Sequence, residues 1–235
     1  MSVSIYIKNS VFQEMKQTMA LEVDKSIDGI GRMCISAVDE LFRGIENLPR
    51  DVPLFFGSAY NGSASLHQFN IVCESAGALQ VNPSLFPNAV LNAPSCRASI
   101  YHRITSPIFN ICQGRASAMT ALRLAYEHMR HLRINHAIVC AAEENCDFVK
   151  QVEGESLVSS CGALYLTITE GNIRIDGFEK QNDKNMDSLH LPYGSVNILY
   201  KIHDILMRSR TESLESVTDG NWRLLFGKNQ KGDKE

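Results

Sequence analysis

The residues with the most chemical potential meet at one strand-to-helix turn, Gln113-Gly114-Arg115. It lies between an apolar run, Ile108 to Cys112, and a helix whose inner face is marked by Ala116, Met119, Leu122, Ala125, Met129 and Leu132. A cysteine at such a turn would be a nucleophile, because exposed backbone N–H groups and the positive end of the helix dipole lower a thiol pKa. Arg115 has the opposite character: its guanidinium stays protonated, only donates hydrogen bonds, and can neither attack a thioester nor accept an acyl group. It also opposes the dipole at about 0.3–1 kcal/mol, so a carboxylate is expected beside it. Glu143 and Glu144, at the end of the next strand, are the candidate partners; either such a pair plugs the turn, or Arg115 is a solvated arginine at a degenerate position.

Other nucleophiles are poorly placed. Cys112 lies on the incoming strand, away from the dipole, and reads as a structural thiol. Ser117 would need a base, and nothing designates His102, His128 or His131 for that role; the three read as surface or interface residues. The Gly-x-Ser-x-Gly elbow of hydrolases is absent. Seven cysteines without a CxxC pair read as reduced thiols. The only close Cys or His pairs, Cys140 with Cys146 and His128 with His131, do not make a zinc site. No catalytic residue, metal or cofactor is assigned.

The elements that must position this turn alternate in type. Val3 to Ile7 is β-branched and alternating, and residues 24–46 carry Ile27, Ile30, Cys34, Val38, Leu41 and Ile45 at helical spacing. A short strand, Leu54-Phe55-Phe56, ends in a glycine-bounded loop, Gly57 to Gly62. Residues 64–79 read as a helix, Pro83 and Pro87 as a turn, and 88–101 as a helix interrupted by Pro94. His136 to Ala142 is a buried strand, and Gly162–Thr169 with Ile173–Phe178 reads as a hairpin around Glu170-Gly171-Asn172. Residues 180–188 read as a linker, Val196 to Leu206 as a helix and Trp222 to Phe226 as a last strand. Alternating strands and helices predict an α/β fold with a mostly parallel mixed sheet covered on both faces.

At 235 residues, with 44% hydrophobic and 21% charged residues, the chain is long enough for one core without staples. A net charge of −3 with dispersed Lys and Arg gives no bulk attraction to nucleic acid. No apolar run approaches the roughly 20 residues of a membrane span, and the N-terminus lacks the layout of a signal peptide, so a cytoplasmic location is expected.

From Ser84 to Ala121 the chain resembles the β-ketoacyl synthase family. The matching pieces are Leu91-Asn92-Ala93, Ser106-Pro107, the 108–112 strand, and Gly114-Arg115-Ala116-Ser117-Ala118, where the family has Ala-Cys-x-Ser-Gly. Weaker matches are Gly57-Ser58, Val81-Asn82-Pro83, Ala141-Ala142-Glu143-Glu144 and Gly162-Ala163, so that the resemblance covers roughly residues 24–169. It implies a thiolase-like fold with Arg115 at the position of the reactive cysteine. It further implies a ketosynthase-like N-terminal half over 1–179, a reduced second half over 180–226 and a tail over 227–235.

In this family, subunits pair across the strand before the elbow, and residues after the Pro-rich turn reach the neighbour's acyl tunnel. By register, the interface and tunnel residues are then Leu85, Phe86, Ala89, Val90, Ile108, Phe109, Ile111 and Cys112. The expected role is a chain-length-factor-like heterodimer partner of an active ketosynthase in polyketide (polyene) or fatty-acid-like synthesis, meeting acyl carrier protein through that complex. Two alternatives stay open: a stand-alone acyl-thioester enzyme with another nucleophile, and a module binding an acidic carrier through Arg97, Arg103, Arg123, Arg130 and Arg133.

Overall fold

The structure is a computed structural model that describes residues 3–15, 26–46, 49–132, 134–153, 157–169, 171–181, 193–208, 216–219 and 222–227. In chain order it contains β1 (Ile5–Glu14), α1 (Gly29–Arg43), β2 (Leu54–Gly57), α2 (Ser63–Ala76), α3 (Ala93–His102), β3 (Ile108–Ile111) and α4 (Ser117–Leu132). These are followed by β4 (His136–Glu143), α5 (Asp147–Glu153), β5 (Ser160–Thr167), β6 (Ile173–Lys180), α6 (Asn197–Met207), β7 (Ser216–Asp219) and β8 (Trp222–Gly227). Short 3-10 turns at Ala78–Gln80 and Pro83–Asn88 separate α2 from α3.

All eight strands form one mixed sheet in the order β3-β2-β4-β5-β1-β6-β8-β7. Its parallel part is smaller than the strand–helix alternation predicts. Only β2 pairs in parallel, with β3 on one side and β4 on the other. The remaining neighbours are antiparallel. The parallel strands are those joined by helical crossovers, through α2 and α3 and then through α4, as parallel pairing demands.

β2 reads Leu-Phe-Phe-Gly and is buried throughout, the pattern of a strand covered on both faces. One core lies under α4 and α6, with Phe55, Met119, Leu122, Val139, Leu164 and Ile198. The other lies under α1, with Cys34, Ile35, Leu41, Leu54, Phe56 and Tyr165. Helices on both faces thus agree with the expectation.

The predicted hairpin does not form. β5 and β6 lie on opposite sides of β1, which pairs antiparallel with each. The chain crosses β1 at Gly171, where a Cβ would stand 2.6 Å from the Tyr6 Cβ, so the glycine serves a close crossing rather than a tight turn. Pro94 does not interrupt a helix either; it occupies the first turn of α3, where its missing N–H has no intrahelical partner to lose. α5 and β7, both short, carried no periodic signal, and most of the 180–188 linker lies outside the described residues.

Candidate functional site

The turn after β3 is built by its own hydrogen bonds. Gly114 adopts φ +55°, where a side chain would be strained. The Ser117 hydroxyl accepts from the Gln113 N–H at 2.8 Å and donates to the Gly114 carbonyl at 2.6 Å. Thr120 donates to the Gln113 side-chain carbonyl at 2.6 Å. Ser117 is buried and both roles of its hydroxyl are used in the turn, which leaves it structural. At the end of β2, a Cβ on Gly57 would lie 2.6 Å from the Ser117 carbonyl oxygen, so glycine lets the β2 backbone touch the start of α4.

Arg115, two residues before α4, pairs with Glu153 rather than with Glu143 or Glu144. Its Nε donates to one carboxylate oxygen at 3.4 Å and its Nη2 to the other. The Tyr60 hydroxyl donates to the same carboxylate. The Arg115 bonds hold the Glu153 carboxyl below its usual range, while burial and this carboxylate push the Tyr60 hydroxyl well up. The predicted carboxylate beside the guanidinium therefore exists, but it comes from the far end of α5. With 45% of its side chain exposed, Arg115 follows the solvated reading rather than the buried plug.

Glu143 and Glu144 are turned elsewhere. Glu143 is fully buried and accepts from the Ser58 hydroxyl, the Ala59 and Tyr60 N–H groups and the Ser195 hydroxyl. Burial pushes its carboxyl up to about 7 against the pull of these donors. Glu144 faces the N-terminus of α1, accepting from the Ile30 N–H, and a Cβ on Gly29 would collide with its carboxylate. Burial, then the nearby Asp28 charge, raise its pKa. The short seven-residue α5 gave no pattern that could have singled out Glu153.

The three histidines have structural partners. His102, buried, bonds the Ile35 carbonyl at 3.0 Å and stacks on Phe42. His128 bonds the Leu124 carbonyl at 3.0 Å and packs against the stacked Phe55 and Phe109 rings. His131 pairs with Glu127 on the surface of α4. The Cys112 thiol is exposed at the end of β3, 3.5 Å from the Ala59 carbonyl. Among the described residues no group of three His, Cys, Asp or Glu side chains could hold a metal, and no helix is long and apolar enough to cross a membrane.

The predicted interface residues lie on an uncovered surface. β3 is an edge strand in which Ile108, Phe109 and Ile111 are half-buried. Leu85, Phe86 and Val90 are exposed, Phe86 to 56%, and Ala89 is half-buried. α3 links the two, with Ser95 donating to Asn110 of β3 at 2.5 Å. Leu66, Ile71, Leu79, Leu91, Ile100 and Tyr101 extend the exposed apolar set, Leu79 to 99%. Between Asp51 and Arg97, residues 52–96 contain a single charged side chain, Glu74. Such a surface has the charge depletion of a protein–protein interface core. Of the five arginines, Arg123 lies over the Trp222 ring and Arg130 over Tyr126, while Arg133 is outside the described residues.

No protein-family model and no curated protein matches the sequence. Solved structures do match in fold. A chain of a ketosynthase in complex with its chain length factor from Xenorhabdus doucetiae aligns with a TM-score of 0.67 and 13% identity, covering 96% of this chain and 99% of that one. A β-ketoacyl synthase from Burkholderia phymatum STM815 aligns at 0.55 with 16% identity, over 68% of this chain and 49% of that chain. The ishigamide ketosynthase/chain length factor aligns at 0.56 with 20% identity, over 69% and 51%. The fold is thus the thiolase-like fold of ketosynthases and chain length factors. This chain spans about half of two of these proteins and matches the first nearly end to end.

Proposed function

We propose that this chain is a non-catalytic, chain-length-factor-like subunit that pairs with an active β-ketoacyl synthase and shapes its acyl tunnel. The observation that carries the reading is the exposed apolar surface formed by residues 63–91, which carry Glu74 as their single charge, and the β3 edge, on a fold shared with ketosynthase and chain length factor structures. An edge strand with open N–H and C=O groups invites continuation by a second sheet. The elbow supports the same reading: an ion-paired arginine stands where a thiol would have to attack, and the nearby serine and histidines are engaged in structure. In the complex, Leu85, Phe86, Ala89 and Val90 would face the partner's tunnel, and substrate would arrive on acyl carrier protein in polyketide (polyene) or fatty-acid-like synthesis.

The test is co-expression with an active β-ketoacyl synthase from the same organism, purification through a tag on this subunit, and native mass spectrometry. A stoichiometric heterodimer is expected. Phe86→Asp, which buries a charge in the interface, should abolish co-purification, whereas Phe86→Ala and Leu85→Ala should retain it and lengthen the products. A stable species that cleaves acyl thioesters without a ketosynthase overturns the proposal and directs attention to Cys112.

A further inference from the structure

We infer that Glu143 is a buried proton-binding site that joins the β2–α2 loop to the turn before α6 and grips them more firmly when protonated. The inference stands on geometry and is independent of the partner reading. Glu143 ends β4 with its carboxylate fully enclosed. One oxygen accepts from the Ala59 N–H at 2.5 Å and from the Ser195 hydroxyl; the other accepts from the Ser58 hydroxyl at 3.2 Å and the Tyr60 N–H at 3.3 Å. Leu157 and Gly194 close the site, and a Cβ on Gly194 would stand 2.8 Å from Leu157 and 3.4 Å from the Glu143 methylene. The contacts therefore tie three segments far apart in sequence: residues 58–60, the end of β4 and residues 194–195.

All four donors are neutral. The groups facing the site from the surrounding elements are the Tyr60 phenol, with Glu153 of α5 and Arg115 beyond it, Ser160 opposite Glu143 on β5, and Glu14 of β1 beneath Tyr193. None of these is a cation in contact with the carboxylate. Burial accordingly outweighs the donors, and the carboxyl is pushed up from 4.5 to about 7. The two serines matter because a hydroxyl, unlike a backbone N–H, can turn and accept. When the proton binds one carboxylate oxygen, Ser58 or Ser195 can receive its O–H while both backbone N–H groups keep an acceptor.

The sign follows from linkage. In an opened, solvated site the carboxyl returns towards its ordinary pKa, so the closed site binds the proton more tightly. Opening is then least favoured at acid pH, grows by about tenfold per pH unit between the ordinary carboxyl value of 4.5 and about 7, and levels off above about 7, where the carboxyl is ionised in both states.

Hydrogen exchange of the full chain, read by mass spectrometry on peptides covering residues 55–62 and 193–199 and expressed as protection over intrinsic exchange, tests this between about pH 4.5 and 8.5. Protection in both peptides should fall by about tenfold per unit up to about pH 7 and level off above it, while the central amides of α4 stay unchanged. Glu143→Gln should abolish the dependence, and Ser195→Ala, which removes a donor to the anion, should move it to higher pH. Flat wild-type protection in the two peptides, or the same fall in Glu143→Gln, overturns the inference; the wild-type profile alone decides if the Gln variant does not fold.

Discussion

Helices α2 and α4 have nearly the same length, 14 and 16 residues, and opposite situations. α4 buries eight side chains, among them Met119, Leu122, Ala125 and Met129, against its own sheet and keeps its charges outside. α2 buries none, yet its residues include Leu66, Phe69, Ile71 and Val72, and its one charge is Glu74. A helix exposed to water normally carries a polar face. α2 leaves these apolar side chains without a buried position, and exposed apolar side chains continue through Leu79, Leu85, Phe86, Val90 and Leu91. The difference separates a side of the fold that is complete, under α4, from one that the proposed partner would cover, along residues 63–91 and the β3 edge.

The sharpest contrast comes from truncating one apolar side chain in each region. Leu122→Ala, in a fully buried site, is expected to destabilise the free chain by about 2–5 kcal/mol in urea unfolding. Leu79→Ala, at 99% exposure, should change it by less than about 0.5 kcal/mol. With the ketosynthase bound, the order is expected to approach parity, because truncating a buried interface anchor such as Phe86 costs on the order of 2 kcal/mol of binding. Equal losses from Leu79→Ala and Leu122→Ala in the free chain would break the comparison.

A second variant probes where the complete region begins. Gly57→Ala places a methyl group against the Ser117 carbonyl, backbone against backbone, and overpacking of this kind costs about 1–3 kcal/mol. The loss should appear in the free chain and be unaffected by partner binding, since the contact joins β2 to α4 inside the chain. A loss confined to the complex would mean that the elbow is assembled only on pairing.

Much of this was legible from residue types alone. The buried strands β2 and β4, the faces of α1 and α4, and the turn at Gln113-Gly114-Arg115 follow from apolar period and from glycine placement. The pairing of β5 and β6 was not, because adjacency in sequence favours a hairpin and nothing local records that β1 lies between them. The partner of Arg115 was misplaced for a related reason. Glu143 and Glu144 stand at the end of the neighbouring strand, but β4 runs into the interior and its last carboxylate is consumed by the 58–60 loop and Ser195. Glu153 arrives from a seven-residue helix of about two turns whose position depends on tertiary packing. Sequence spacing supplies neighbours along an element; it does not supply which loop folds over which strand end.

Only a small effect is expected at the most conspicuous residue. Arg115 is 45% exposed and paired with Glu153, so the ion pair is solvent-screened and Arg115→Ala should lower stability by no more than about 1 kcal/mol, less at high salt. The depressed Glu153 pKa sets the pH window: a carboxyl held below its ordinary 4.5 contributes stability above that value and loses it as pH falls through the folded value. The wild type and Arg115→Ala should therefore converge in urea midpoint as pH falls below about 4.5 and differ most near neutrality. A much larger loss, independent of salt and pH, would mean that the guanidinium is built into the core of the elbow, and would move Arg115 from the uncovered side of the comparison to the covered one.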